Sequence, residues 1–77
     1  MNRKRREILK RAKDHLGTAS VLISQALDEE EDSLDNLPEN LMESERYEKM
    51  ENAVDALNDA SDGIDEVIEK INEAIAK

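Results

Sequence analysis

The 77-residue chain has no cysteine, phenylalanine or tryptophan, a single tyrosine, histidine and proline, and only two glycines. Without cysteine no disulfide can hold it, which fits a reducing cytosol. With one aromatic side chain there is little from which to build a globular aromatic core. With so few glycines and prolines there is little to make the tight turns of a sheet protein. Long apolar runs are missing too, and nothing approaches the roughly 18 residues of a membrane span. The stretch Asn2-Arg3-Lys4-Arg5-Arg6 has the basic character of a signal-peptide start. No apolar run of about 7–15 residues follows it, so a cytoplasmic protein is expected.

What the chain does have is charge and helix formers. Asp, Glu, Lys and Arg make up 40% of it, with Ala, Leu, Ile and Asn prominent among the rest. That composition suits long solvated helices. The net charge of −9 also suits disorder, but the regular apolar spacing described below argues against it. The length allows one domain at most, and a chain this short buries only about 60% of the surface it exposes when unfolded. With no disulfide available, a partner chain is the natural source of further stability.

The charge is segregated. Residues 1–13 carry Arg3, Lys4, Arg5, Arg6, Lys10, Arg11 and Lys13 against Glu7, a balance of +6. Residues 14–77 carry Arg46, Lys49, Lys70 and Lys77 against nineteen acids, a balance of −15. The result is a basic head on an acidic body.

One strong breaker divides the chain, Asp35-Asn36-Leu37-Pro38-Glu39-Asn40. Pro38 disfavours a helical Leu37 and itself prefers the first turn of a helix. Asp35 or Asn36 can end one helix or cap the next, and Ser44 is a second candidate cap, with Glu45 and Glu48 suited to a positive helix N-terminus. These signals predict helix one over about 3–34, a corner over about 35–43 with a short helical turn at Leu37–Met42, and helix two over about 44–76.

Before the corner, Leu9, Leu16 and Ile23 recur every seven residues, accompanied by Ala12, Ala19 and Ala26 and flanked by Ile8, Leu22, Leu27 and Leu34. After it, Met50, Leu57, Ile64 and Ile71 form one column, and Ala53, Ala60, Val67 and Ala74 a second. Val54, Ile68 and Ile75 form a third, interrupted by Ser61. A seven-residue period implies left-handed, coiled-coil-like packing, and three columns make a broad apolar face. The expected fold is all-α: an antiparallel two-helix hairpin with the Ala columns facing each other and the Leu and Ile columns beside that seam. Two helices cannot bury a three-column face, so a homodimer forming a four-helix bundle is expected. Leu9, Leu16, Ile23, Leu57, Ile64, Ile68, Ile71 and Ile75 are its expected self-association core.

Charge favours the same hairpin. Basic residues start helix one and Asp28-Glu29-Glu30-Glu31-Asp32 ends it, both against the helix macrodipole. Folded back, the head should meet Asp62, Asp65, Glu66, Glu69, Glu73 and the negative end of helix two. The corner text itself, Asp35-Asn36-Leu37-Pro38-Glu39-Asn40-Leu41 followed by Ser44-Glu45-Arg46, Glu48, Met50-Glu51 and Ala53, resembles a group of uncharacterised small acidic helical proteins of phages and mobile elements in Gram-positive bacteria. The likeness is sharpest over about twenty residues of this sequence. That group has no established activity, so the resemblance implies a bacterial or phage setting and carries over no site residues.

No enzyme site is expected. His15, beside Asp14, lacks a partner motif for catalysis or metal binding and reads as a surface or boundary histidine. Counted from Asp28, acids fall at the first, third, fifth and twelfth places of a calcium loop, but Ser33 stands where such a loop wants Gly, so a solvated helix end is expected. No Glu-x-x-His pair exists for a di-iron bundle. No metal and no cofactor is expected.

Three surfaces remain. Asp55, Asp59, Asp62, Glu66, Glu69 and Glu73 form an acidic ridge, either plain solvent face or a docking surface for a basic or DNA-binding host protein that reads it like a phosphate track. Arg3, Lys4, Arg5, Arg6, Lys10 and Arg11 form the basic head, expected to pair with helix two rather than bind nucleic acid, since it lacks interleaved aromatics. Leu37, Leu41, Met42 and Tyr47 are expected to plug the corner. The sequence therefore favours an interaction module presenting an acidic surface, as an inhibitor or adaptor. The alternatives are a purely structural oligomer, or a nucleic-acid binder through the basic head.

Overall fold

A computed structural model describes residues 1–41 and 44–77. It consists of α1 (Arg3–Asp35) and α2 (Glu45–Ala76), packed against each other, with a short 3-10 turn at Glu39–Leu41 between them. Arg6 near the start of α1 reaches Ile75 near the end of α2, so the helices run antiparallel as a hairpin.

Local chemistry sets the helix ends. Asn2 caps α1 by accepting the Arg5 N–H at 2.9 Å. At the other end the Asn36 backbone N–H and its side-chain amide both donate to the Asp32 carbonyl, at 3.1 and 2.8 Å, and Leu37 N–H donates to Leu34. Pro38 follows where the helix can no longer continue. Ser44 caps α2 as expected, its hydroxyl accepting the Tyr47 N–H at 3.2 Å and donating to the Leu41 carbonyl. Glu45 and Glu48 sit in the first turn that this cap opens. Leu37 is the one buried residue among those described, with Leu41 and Tyr47 half-buried around the same corner. Met42, expected to join that plug, lies outside the described residues.

The seam differs from the expected Ala-to-Ala contact. Two columns of half-buried residues dominate each helix: Leu9, Leu16, Ile23 and Glu30 with Arg6, Lys13, Ser20, Leu27 and Leu34 on α1, where Ala12, Gly17 and Ala19 are half-buried beside them. On α2 they are Met50, Leu57, Ile64 and Ile71 with Tyr47, Val54, Ser61, Ile68 and Ile75, and Ala53, Gly63 and Ala74 are half-buried beside them. Ala26 and Ala60 are exposed and Val67 is 46% exposed, while Ala12, Ala19, Ala53 and Ala74 are half-buried, so the Ala columns border the seam along one edge. The reason is the area each choice removes from water. Each methylene buried contributes about 0.8 kcal/mol, which favours a seam filled by Leu and Ile. Polar members of the seam survive by reaching its edges, as the Lys13 ammonium does in donating to Asn72 Oδ1 at 3.0 Å.

The hairpin is a rod, 59 Å long and 13–15 Å across. Its radius of gyration is 17.5 Å, where a compact domain of this length would have about 11–12 Å. Its accessible surface is 5921 Å², against about 4,700 Å² for a compact protein of 8.7 kDa. The excess, about 1,200 Å², follows from the rod shape.

Candidate functional site

Two antiparallel right-handed helices present equivalent heptad positions on the same flank of their seam. The Ala columns of α1 and α2 therefore share one side. That side carries Ala12, Ala19 and Ala26 with Ile8 and Leu22 from α1, and Ala53, Ala60, Val67 and Ala74 with Ala56 and Gly63 from α2. Ile8 is 46% and Leu22 60% exposed. Around Gly63, which has no side chain to fill the space, a shallow open depression runs along Glu66, Val67, Glu69, Lys70 and Ile71. The expected self-association residues Leu9, Leu16, Ile23, Leu57, Ile64 and Ile71 form the seam column nearer this flank, half-buried by the hairpin alone. Ile68 and Ile75 lie on the far side of the seam.

The opposite flank is polar. Lys10, Gly17, Ser24 and Glu31 line it from α1, and Glu51, Asn58, Asp65 and Asn72 from α2. Beyond it, on the back of α2, stands the acidic ridge. Asp55, Asp59, Asp62, Glu66, Glu69 and Glu73 are all exposed. Lys70 reaches Glu73 at 3.4 Å, and Lys49 reaches Glu45 at 3.3 Å. Both pairs lie within α2 and face solvent, so they contribute little to stability.

The basic head finds α2, but not its carboxylates. Arg6 Nε donates to the Ile75 carbonyl at 3.1 Å, one of the last carbonyls of α2 and part of the negative end of its dipole. Arg3, Lys4, Arg5, Lys10 and Arg11 are exposed, and no ion pair joins them to a carboxylate among the described residues. The expected pairing with Asp62, Asp65, Glu66, Glu69 and Glu73 is thus replaced by one carbonyl contact and the Lys13–Asn72 bond. The physical reason is that those acids are all exposed, where long side chains gain little by pairing. The acidic end of α1, Asp28–Asp32, likewise has no cation within ion-pair distance among the described residues.

His15 is exposed, in the same column as Ile8 and Leu22. The Asp28–Asp32 run is helical throughout, so the loop needed for calcium is not formed. Among the described residues no group of three or more His, Asp or Glu is placed to hold a metal ion. At the corner, hydrogen bonding to Glu51 and the negative charge of that carboxylate raise the Tyr47 hydroxyl above its usual pKa. Neither helix is long and apolar enough to cross a membrane. Comparison with protein-family models, with curated proteins and with solved structures finds no match.

Proposed function

We propose that the chain is a non-enzymatic protein–protein interaction module. It pairs with a second copy into a four-helix bundle and presents its acidic ridge to a basic partner, such as a DNA-binding host protein, as an inhibitor or adaptor. The observation that carries this reading is the division of labour around the seam. Apolar residues gather on one flank, and six ridge acids stand exposed on the back of α2. Pairing through the apolar flank leaves two acidic ridges free, and a basic protein would meet a rigid row of carboxylates at helical spacing.

The test compares the wild-type chain with a variant in which the six ridge acids become Asn or Gln. Both are immobilised and offered bacterial lysate, and the bound proteins are identified by mass spectrometry. Basic proteins held by the wild type, absent from the variant and released by about 0.5 M salt support the reading. Equal capture by both chains, or none by either, sinks it.

A further inference from the structure

We infer that the second copy covers the apolar flank with its hairpin reversed end for end. In that arrangement α1 lies antiparallel against α1, and α2 against α2. The two-fold axis passes beside Ala19 and Ala60, which stand at the middle of α1 and α2. The inference rests on the self-association proposed above and fixes its direction.

The area fits a second copy. The hairpin exposes about 1,200 Å² more than a compact protein of its mass, and a standard interface removes about 800 Å² from each partner. Ile8, Leu22 and Val67 supply the large apolar side chains of the uncovered flank. The Ala and Gly residues between them let helices approach closely.

Charge selects the direction. On α1 the head carries +6 over residues 1–13, and Asp28, Glu29, Glu30, Glu31, Asp32 and Asp35 carry −6 at the other end. Neither end is neutralised by an ion pair within the hairpin among the described residues. On α2 the two halves are equal. Residues 44–59 hold five acids against Arg46 and Lys49, and residues 60–77 hold five acids against Lys70 and Lys77, so each half is −3.

Reversed hairpins place +6 beside −6 twice and −3 beside −3 twice. Hairpins pointing the same way put α1 beside α2, which sets +6 against −3 but also −6 against −3, and the two effects cancel. The head and tail of α1 also oppose that helix's own dipole, and a reversed second α1 offsets both. In the reversed bundle the basic head of one copy runs alongside the acidic run of the other, with Arg5 and Glu29 the members of each that stand in the columns of the apolar flank.

Because the chain has no cysteine, introduced thiols report position cleanly. Ala12 and Ala26 lie seven residues either side of Ala19 on the same column. In the reversed bundle, residue 12 of one copy sits opposite residue 26 of the other. An equimolar mixture of Ala12→Cys and Ala26→Cys chains, checked for unchanged helicity and mass, is oxidised mildly and run without reductant. Cross-linked dimer should form in the mixture and be largely lost from either variant alone. Like residues would then be about 14 positions, or roughly 21 Å, apart along the helix, and Cα atoms more than about 7 Å apart cannot be bridged.

If the hairpins point the same way, Ala12→Cys cross-links with Ala74→Cys instead. A dimer that does so, or that cross-links in neither mixture, overturns the reversed arrangement and leaves self-association standing. A monomer at every concentration overturns both.

Discussion

The two flanks of the hairpin seam share one backbone geometry and opposite chemistry. On one side, α1 and α2 present Ala12, Ala19, Ala26, Ala60 and Val67, and on the other Lys10, Ser24, Glu31, Asn58 and Asp65. Ala12, Ala19, Ala53 and Ala74 on the apolar flank are half-buried, whereas Lys10, Ser24, Glu31, Asn58 and Asp65 on the polar one are exposed. An apolar flank continuous with a half-buried seam is the surface that the proposed second copy would cover. The contrast has one exception. Val21 is 68% exposed away from the apolar flank, and an isolated surface Val is ordinary.

The contrast can be attacked most severely at the seam that both layers share. Ile64→Asp should destabilise the fold by about 3 kcal/mol or more, because its carboxylate is forced into a surface with no cation to pair it. Thermal unfolding followed by circular dichroism would read this as loss of the cooperative transition.

A charge on one flank and then the other tests the difference directly. Val67→Glu should weaken the dimer about a hundredfold while leaving the helices formed, since a partly buried unpaired carboxylate costs several kcal/mol. Asn58→Glu, on the polar flank, should leave the solution mass unchanged. Equal effects from the two variants, measured by sedimentation, would erase the distinction between the flanks.

Ala60→Leu separates the observed seam from the one its columns first suggest. In an Ala-to-Ala seam the larger side chain would overpack and cost about 1–3 kcal/mol of hairpin stability. With Ala60 exposed beside the seam, the hairpin should tolerate it. The cost should instead appear as a dimer weakened about tenfold, or about 1.4 kcal/mol, by concentration-dependent melting.

The two glycines give the finest comparison. Gly17 lies on the polar flank and Gly63 on the apolar one, both mid-helix, and an added Cβ meets nothing within 4 Å at either. Gly17→Ala should raise stability by about 0.8–1 kcal/mol through helix propensity alone. Gly63→Leu should enjoy a similar gain in the hairpin yet lose dimer, whereas Gly17→Leu should not. Chemical denaturation with mass measured in parallel separates the two terms.

Much of the fold was readable beforehand because its signals are local. Pro38, Asn36 and Ser44 mark the corner through backbone chemistry that needs no partner, and the observed helix limits differ from the expected ones by a single residue. Asn2, the cap of α1, carries the same kind of local signal, an Asn directly before a helical run.

The seam was harder to read, because three apolar columns fit two pairings equally by period. Only the area buried by Leu and Ile over Ala decides between them. The reach of Arg6 to a carbonyl, and not to a carboxylate, was likewise set by tertiary geometry. The ridge follows from spacing, yet its place on the back of α2, with Glu66 and Glu69 bordering the depression at Gly63, follows only once the seam is known.

The most direct measurement is solution mass by light scattering across a wide range of concentration, in low and high salt. A covered apolar flank predicts a particle of twice the chain's 8.7 kDa that persists on dilution into the micromolar range. A particle of 8.7 kDa at every concentration would mean that the flank stays open to water, and would contradict the paired bundle.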